Sequence, residues 1–138
     1  MTISDPRALL NRLLQEKAEA EWLEFKHNNT DPERIGQTIS ACANSAMLQE
    51  RDRGFIVWGI ENKTKKKLGT TVRLKEITKG AEPLENWLSR LLEPRLMLEL
   101  LDFEEDGKQF SILCFEPTYS KPVKFSGTFV AFARPNGS

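Results

Sequence analysis

The apolar residues of this chain follow two rhythms, one helical and one alternating, and the changes between them outline the elements. After Asp5-Pro6, Leu9, Leu10, Leu13 and Leu14 recur at helical spacing. Asp suits the cap, and Pro fits a first turn whose N–H has no partner anyway, so a helix is expected to about residue 18. Trp22–Lys26 then alternates as a strand: Leu23 and Phe25 point one way, Trp22, Glu24 and Lys26 the other. A carboxylate and an ammonium on one face form either an edge-exposed pair or a working one, because burying them unsatisfied is costly. His27–Thr30 reads as a polar loop. Thr30-Asp-Pro-Glu33 has capping-box spacing and opens a helix to about Gln49, with Ile35, Ile39, Cys42 and Ala46 on one side. Gly36, Ser40, Ala41, Ala43 and Ser45 would let that helix approach a sheet closely.

Gly54–Ile60 is a continuous apolar run, expected as a central strand covered on both faces. Glu61–Lys67 makes a basic turn, and Leu68–Thr71 is expected to return as a short strand. Val72–Gly80 has no clear rhythm. Glu82–Leu91 reads as a helix stopped by Pro94, with Leu84, Trp87, Leu88 and Leu91 on its face. Arg95–Phe103 and Gln109–Phe115 form the clearest hairpin, closed at Glu105-Asp106-Gly107, since Asp-Gly favours a tight turn. Val123–Phe125 and Thr128–Arg134 make a last pair around Ser126-Gly127. The expected fold is therefore α/β (α+β): a single domain over residues 1–138, with a mixed, mostly antiparallel sheet and about three helices.

Composition narrows the class. The chain has 138 residues, 39% hydrophobic and 29% charged, ordinary values for one globular domain with its own core. No apolar run approaches the roughly 20 residues that span a bilayer, and the first residues lack the basic and apolar regions of a signal peptide. A cytoplasmic location is expected. Cys42 and Cys114, the only two thiols, fall in apolar elements and read as small buried hydrophobes rather than a disulfide. One histidine, His27, leaves no zinc-site spacing.

Charge changes the picture more. The net charge is zero, yet residues 51–80 carry 9 basic and 3 acidic side chains, while 1–50 carry 5 and 8, and 81–138 carry 6 and 9. The basic excess centres on Lys63, Lys65, Lys66 and Lys67, with Arg51 and Arg53 before them and Lys26 on the first strand. Lysines in a turn between strands can contact phosphates, giving salt-dependent affinity without sequence reading; a solvated hairpin tip is the plainer alternative. A second set is acidic: Glu19, Glu21, Glu24 and Glu61. Converging carboxylates can hold a divalent ion, but Glu19 and Glu21 equally suit a solvated helix end. Of the aromatic residues Trp22, Phe25, Phe55, Trp58 and Trp87, most occupy core positions. Trp22 is the exception, on the polar side of its strand and open to base stacking. Asn44, polar within a small-residue helix, fits a loop-holding role better than a ligand, and His27 is at most a weak acid–base candidate. No phosphate-cradling glycine loop and no nucleophile elbow occur.

The series Glu19-x4-Glu24-Phe-Lys26, Ser40-Ala-Cys-Ala-Asn44-Ser45, Gly54-Phe-Ile-Val-Trp-Gly-Ile-Glu61-Asn62, Leu68-Gly69-Thr70 and Lys121-Pro-Val-Lys-Phe-x-Gly127 resembles the Schlafen-type AlbA domain, a divergent Alba-like nucleic-acid-binding module. The resemblance covers nearly the whole chain. It implies the N-terminal part of a longer bacterial transcriptional regulator or helicase-related protein, with DNA as ligand and a further C-terminal domain as partner. Vertebrate Schlafen proteins cleave RNA with three carboxylates; two match Glu19 and Glu24, which the resemblance makes catalytic and metal-binding candidates with Mg or Mn. The third falls at Asn62, a neutral amide, with Glu61 beside it as a partial substitute. The family's paired glycine before the central strand is altered here to Arg53-Gly54, after a longer charged loop.

Three functions follow as expectations. The first is a nucleic-acid-binding module using Lys26, Arg51, Arg53, Lys63, Lys65, Lys66 and Lys67, with binding favoured over cleavage. The second is a metal-dependent endoribonuclease using Glu19, Glu24 and Glu61. The third is a protein-interaction or homo-oligomerisation module.

Overall fold

The computed structural model describes residues 3–16, 21–117 and 121–129. Helix α1 (Pro6–Leu14) starts as its first residues dictate, with the Asp5 carboxylate accepting the Ala8 N–H at 3.1 Å. It ends at Leu14, short of the expected residue 18, as Gln15 turns back onto the carbonyls of Arg12 and Leu13. Strand β1 (Leu23–Lys26) leads into α2 (Pro32–Leu48), and β2 (Gly54–Trp58) follows. The capping box does not form. Asp31, not Thr30, occupies the cap without a side-chain bond, and Pro32 opens the first turn.

Beyond β2 the expected return strand at Leu68–Thr71 is reduced to a single bridge, Ile60 to Lys67, because Leu68 and Gly69 donate back to the Gly59 carbonyl instead of pairing onward. The unassigned stretch holds a 3-10 turn, Leu74–Glu76, and strand β3 (Thr78–Lys79), which pairs with β4 (Glu82–Pro83). That pairing delays α3 to Leu84–Leu91, with Leu84, Trp87 and Leu88 buried. Strand β5 (Leu92–Glu93) precedes the long hairpin of β6 (Leu96–Glu105) and β7 (Lys108–Pro117). Its two-residue turn puts Asp106 at φ 53 and Gly107 at φ 78, the left-handed pair that an Asp-Gly hairpin requires. The last pair is β8 (Lys124–Phe125) with β9 (Thr128–Phe129); the rest of the expected strand, 130–134, lies outside the described residues.

The main sheet runs β1-β2-β7-β6, with β1 parallel to β2 and the other pairs antiparallel. Strand β2 is central and buried at all five positions, as its apolar run implied. Alternation divides the core. Ile56 and Trp58 face Ile35, Ile39 and Cys42 of α2 together with Leu113 and Phe115. Phe55 and Val57 face Leu9, Leu10 and Leu13 of α1 together with Leu23, Phe25 and Ile112. Both cysteines are buried and neither forms a disulfide, and burial pushes the Cys114 thiol up to about 12. No helix among the described residues is long and apolar enough to cross a membrane.

Candidate nucleic-acid interface

Parallel pairing brings the carboxyl ends of β1 and β2 together. Lys26 is registered against Trp58, and its carbonyl accepts the N–H groups of Gly59 and Ile60 at 2.8 and 3.2 Å. Beyond this point the two loops part, leaving a cleft of about 380 Å³ between Phe25–Asn29 on one side and Ile60–Asn62 with Leu68 on the other. Ligands of open α/β sheets settle in such crevices at strand carboxyl ends.

The basic turn is a braced loop rather than a flexible finger. The Glu61 carboxylate accepts the Thr64 N–H at 2.6 Å and the Thr64 hydroxyl at 2.8 Å, while backbone bonds join Glu61 to Lys65 and Lys66. Those two Thr64 bonds hold the Glu61 carboxyl below the ordinary value of 4.5. Two of the four lysines are spent on the brace. Lys65 lies with its ammonium 4.7 Å from the Phe25 ring centroid and donates to the Asn62 carbonyl. Lys67 donates to Glu105 at 2.5 Å and to Asn11 at 2.9 Å, and Asn11 in turn donates to Glu105 at 3.0 Å. The Lys67 bond is the first cause of a lowered Glu105 carboxyl. Lys63 and Lys66 remain exposed, and Lys26 is half-buried at the cleft wall.

Arg51 and Arg53 are not part of this group. They precede β2, and the strand carries the chain to the opposite end of the sheet before the lysines begin. There Arg51 stacks 4.2 Å from the Trp22 ring centroid and lies 3.9 Å from Glu16, while Arg53 bonds Glu116 at 3.2 Å. Trp22 is therefore not an open stacking surface. It is only 4% exposed, sits before β1 rather than on its polar face, and meets Phe55 edge-on at 6.2 Å. These residues line a groove of about 1430 Å³ that also holds Glu16, Glu50, Asp52 and Glu116, so its charge is mixed.

The family model described as Schlafen, AlbA_2 matches residues 19–138. The chain belongs to this family. The AlbA_2 domain also matches the solution NMR structure of an N-terminal domain from Nitrosomonas europaea, part of a protein described as ATP-dependent DNA helicase RecG-related. The TM-score is 0.56 at 18% identity, covering 97% of this chain and 92% of that one, a likeness of fold. A comparison with curated proteins finds no match.

Among the described acidic candidates of the AlbA_2 domain, Glu24 and Glu61 lie on different elements. Glu24, half-buried, is registered against Ile56 on the α2 side of the edge strand β1, and Lys26 shares that side. Glu61 lines the cleft with its carboxylate engaged by Thr64. Glu19 lies outside the described residues. Among the described residues no group of three or more His, Cys, Asp or Glu side chains could hold a metal ion. His27 is exposed at the cleft wall. Asn44 holds a loop, bonding both backbone groups of Val123. Sequence reasoning passed over Asn28 and Asn29, which complete the cleft wall. The available signal was an Asn-Asn pair directly after a strand of the parallel pair.

Proposed function

We propose that this AlbA_2 domain binds nucleic acid through the carboxyl ends of β1 and β2, with DNA as the ligand of a regulatory or helicase-linked protein. The observation that carries the reading is the division of labour in the basic loop. Lys65 and Lys67 brace it, and Lys63 and Lys66 are left exposed beside Lys26. Exposed cations beside a crevice attract a phosphate backbone without reading its sequence. The family match and the name of the Nitrosomonas relative point the same way. Cleavage has less support here. The Glu61 carboxylate already accepts two hydrogen bonds, and the neighbouring position is the neutral amide Asn62.

The test is fluorescence anisotropy of labelled single-stranded DNA, duplex DNA and structured RNA, titrated with salt in the presence of chelator. With three cations at the site, log affinity falls with log salt at a slope of about −2 to −3. No binding to any of the three removes the proposal and turns attention to a protein-interaction role.

A further inference from the structure

The cleft beside the lysines has a chemical bias that its amides reveal. Asn28 Oδ1 accepts the Thr71 N–H at 3.1 Å and the Thr70 hydroxyl at 2.6 Å. Asn29 Oδ1 accepts the Asp31 N–H at 3.2 Å. Asn62 Oδ1 faces the Lys65 ammonium at 3.4 Å. Each oxygen has one partner that can only donate, a backbone N–H or an ammonium, and that partner sets the orientation of its amide. With each oxygen turned back into the protein, an asparagine has only its two N–H donors left to offer a ligand. Asn28, Asn29 and Asn62 line one cleft, together with Lys26. The carboxylate in that wall, Glu61, is held by Thr64. Donor side chains in this wall therefore outnumber its one carboxylate, Glu61, on which both Thr64 bonds fall at Oε2.

We infer that the cleft seats a phosphomonoester, the phosphorylated end of a nucleic-acid strand, while Lys63 and Lys66 hold the backbone that follows. This rests on the nucleic-acid reading above and adds the chemical group recognised. A terminal phosphate suits the donors better than an internal phosphodiester. It presents three acceptor oxygens and a charge of about −1.5 to −2, whereas an internal linkage offers two free oxygens and one charge. A recess of about 380 Å³ also admits a chain end more readily than a linkage flanked by nucleotides on both sides.

The experiment compares one fluorescent single strand carrying either a 5′-phosphate or a 5′-hydroxyl, with a 3′-phosphate version as a third probe, binding to the full chain. The expected result is about tenfold tighter binding of one phosphorylated end over the hydroxyl strand, as charge-assisted hydrogen bonds imply. Asn28→Asp and Asn29→Asp each keep the inward oxygen and replace the outward N–H groups with a second oxygen. Both are expected to erase the preference while the Thr71 and Asp31 amide resonances stay in place. A nucleoside 5′-monophosphate should compete only weakly, because it lacks the backbone that Lys63 and Lys66 hold. Equal affinity for all three strands overturns the phosphate seat and leaves the nucleic-acid reading standing. A preference that survives both substitutions removes these amides from it. Competition by the mononucleotide as strong as by the strand reassigns the cleft to free nucleotides and overturns a strand end. No binding by any probe overturns the nucleic-acid reading and this inference with it.

Discussion

The side chain of Asn44 bonds both backbone groups of Val123: Oδ1 accepts its N–H at 2.7 Å and Nδ2 donates to its carbonyl at 3.2 Å. Ser40, one helical turn earlier, donates to the same carbonyl at 2.7 Å. An asparagine on α2 thus does what a neighbouring strand would do, and it docks the segment leading into β8 against the helix. Asn44→Ala leaves the Val123 N–H without a partner while Ser40 still serves the carbonyl. Losing one partner of a mostly buried backbone group costs about 1–3 kcal/mol. Urea unfolding should show a lower midpoint at unchanged slope. Asn44→Asp, which keeps the acceptor, should lose less.

The same docking rests on Gly36. A Cβ built there would lie 2.1 Å from the Phe125 ring, and that ring is 3% exposed with Trp87 edge-on at 5.7 Å. Gly36→Ala gains about 1 kcal/mol of helix propensity but forces a ring that has no room to retreat, at about 1–3 kcal/mol. The net expectation is destabilisation. A double-mutant cycle with Phe125→Leu checks it: the smaller side chain should recover most of the loss, and additivity would place the strain elsewhere.

Where local chemistry fixed the backbone, the sequence was readable. The apolar run of β2, the small residues of α2 and the left-handed Asp106-Gly107 turn each have one physical solution, and each was found. Misreadings came where a competing residue, near or distant, decided. Thr30 had the spacing of a cap, but Pro32 sets the first turn and leaves Asp31 in that place. Trp22 had a polar position in the alternation, but Arg51 and Phe55 from other elements enclose it. The basic residues looked like one patch because Arg53 and Lys63 are close in sequence. An extended strand advances about 3.3 Å per residue, so β2 separates them to opposite ends of the sheet. The inward turn of the Asn28 and Asn29 oxygens depends on Thr71 and Asp31 backbone groups, one of them far along the chain.

Acid should loosen the basic loop before the core. The Glu61 and Glu105 carboxyls titrate below the ordinary 4.5 in the folded protein, so the unfolded chain binds more protons as pH falls. Their contributions are complete above 4.5 and disappear as pH drops through the lowered folded values. Following the Thr64 amide by NMR from pH 6 downward should show the loop bond breaking below 4.5. Glu61→Gln should flatten that titration. A Thr64 shift with an ordinary glutamate midpoint would mean the carboxylate bond does not form in solution.

Both cysteines should resist alkylation until the protein opens. Cys114 is buried and its thiol is held at about 12, so almost no thiolate exists near pH 8. Labelling by iodoacetamide should be slow in the native protein and accelerate in parallel with urea unfolding. Rapid labelling of Cys114 at low denaturant would reveal local opening of β7, a central strand.

The four lysines of the loop should separate into two pairs by experiment. Lys63 and Lys66 are exposed, so Lys63→Ala and Lys66→Ala should leave stability within about 0.5 kcal/mol of the parent. Each should also remove about 0.7–0.9 from the magnitude of the salt slope. Lys67→Ala should behave differently. It takes the cation from Glu105, whose side chain is 14% exposed, and breaks the link to Asn11 on α1. The expected loss is about 1 kcal/mol, because the carboxylate loses its charged partner and keeps only the Asn11 amide donor. Lys65→Ala should remove the contact on Phe25 and leave Lys63 and Lys66 less firmly placed. Salt titrations and urea unfolding on the same four variants decide the matter. If all four change the slope equally and none changes stability, the loop is a solvated finger and the brace has no energetic weight.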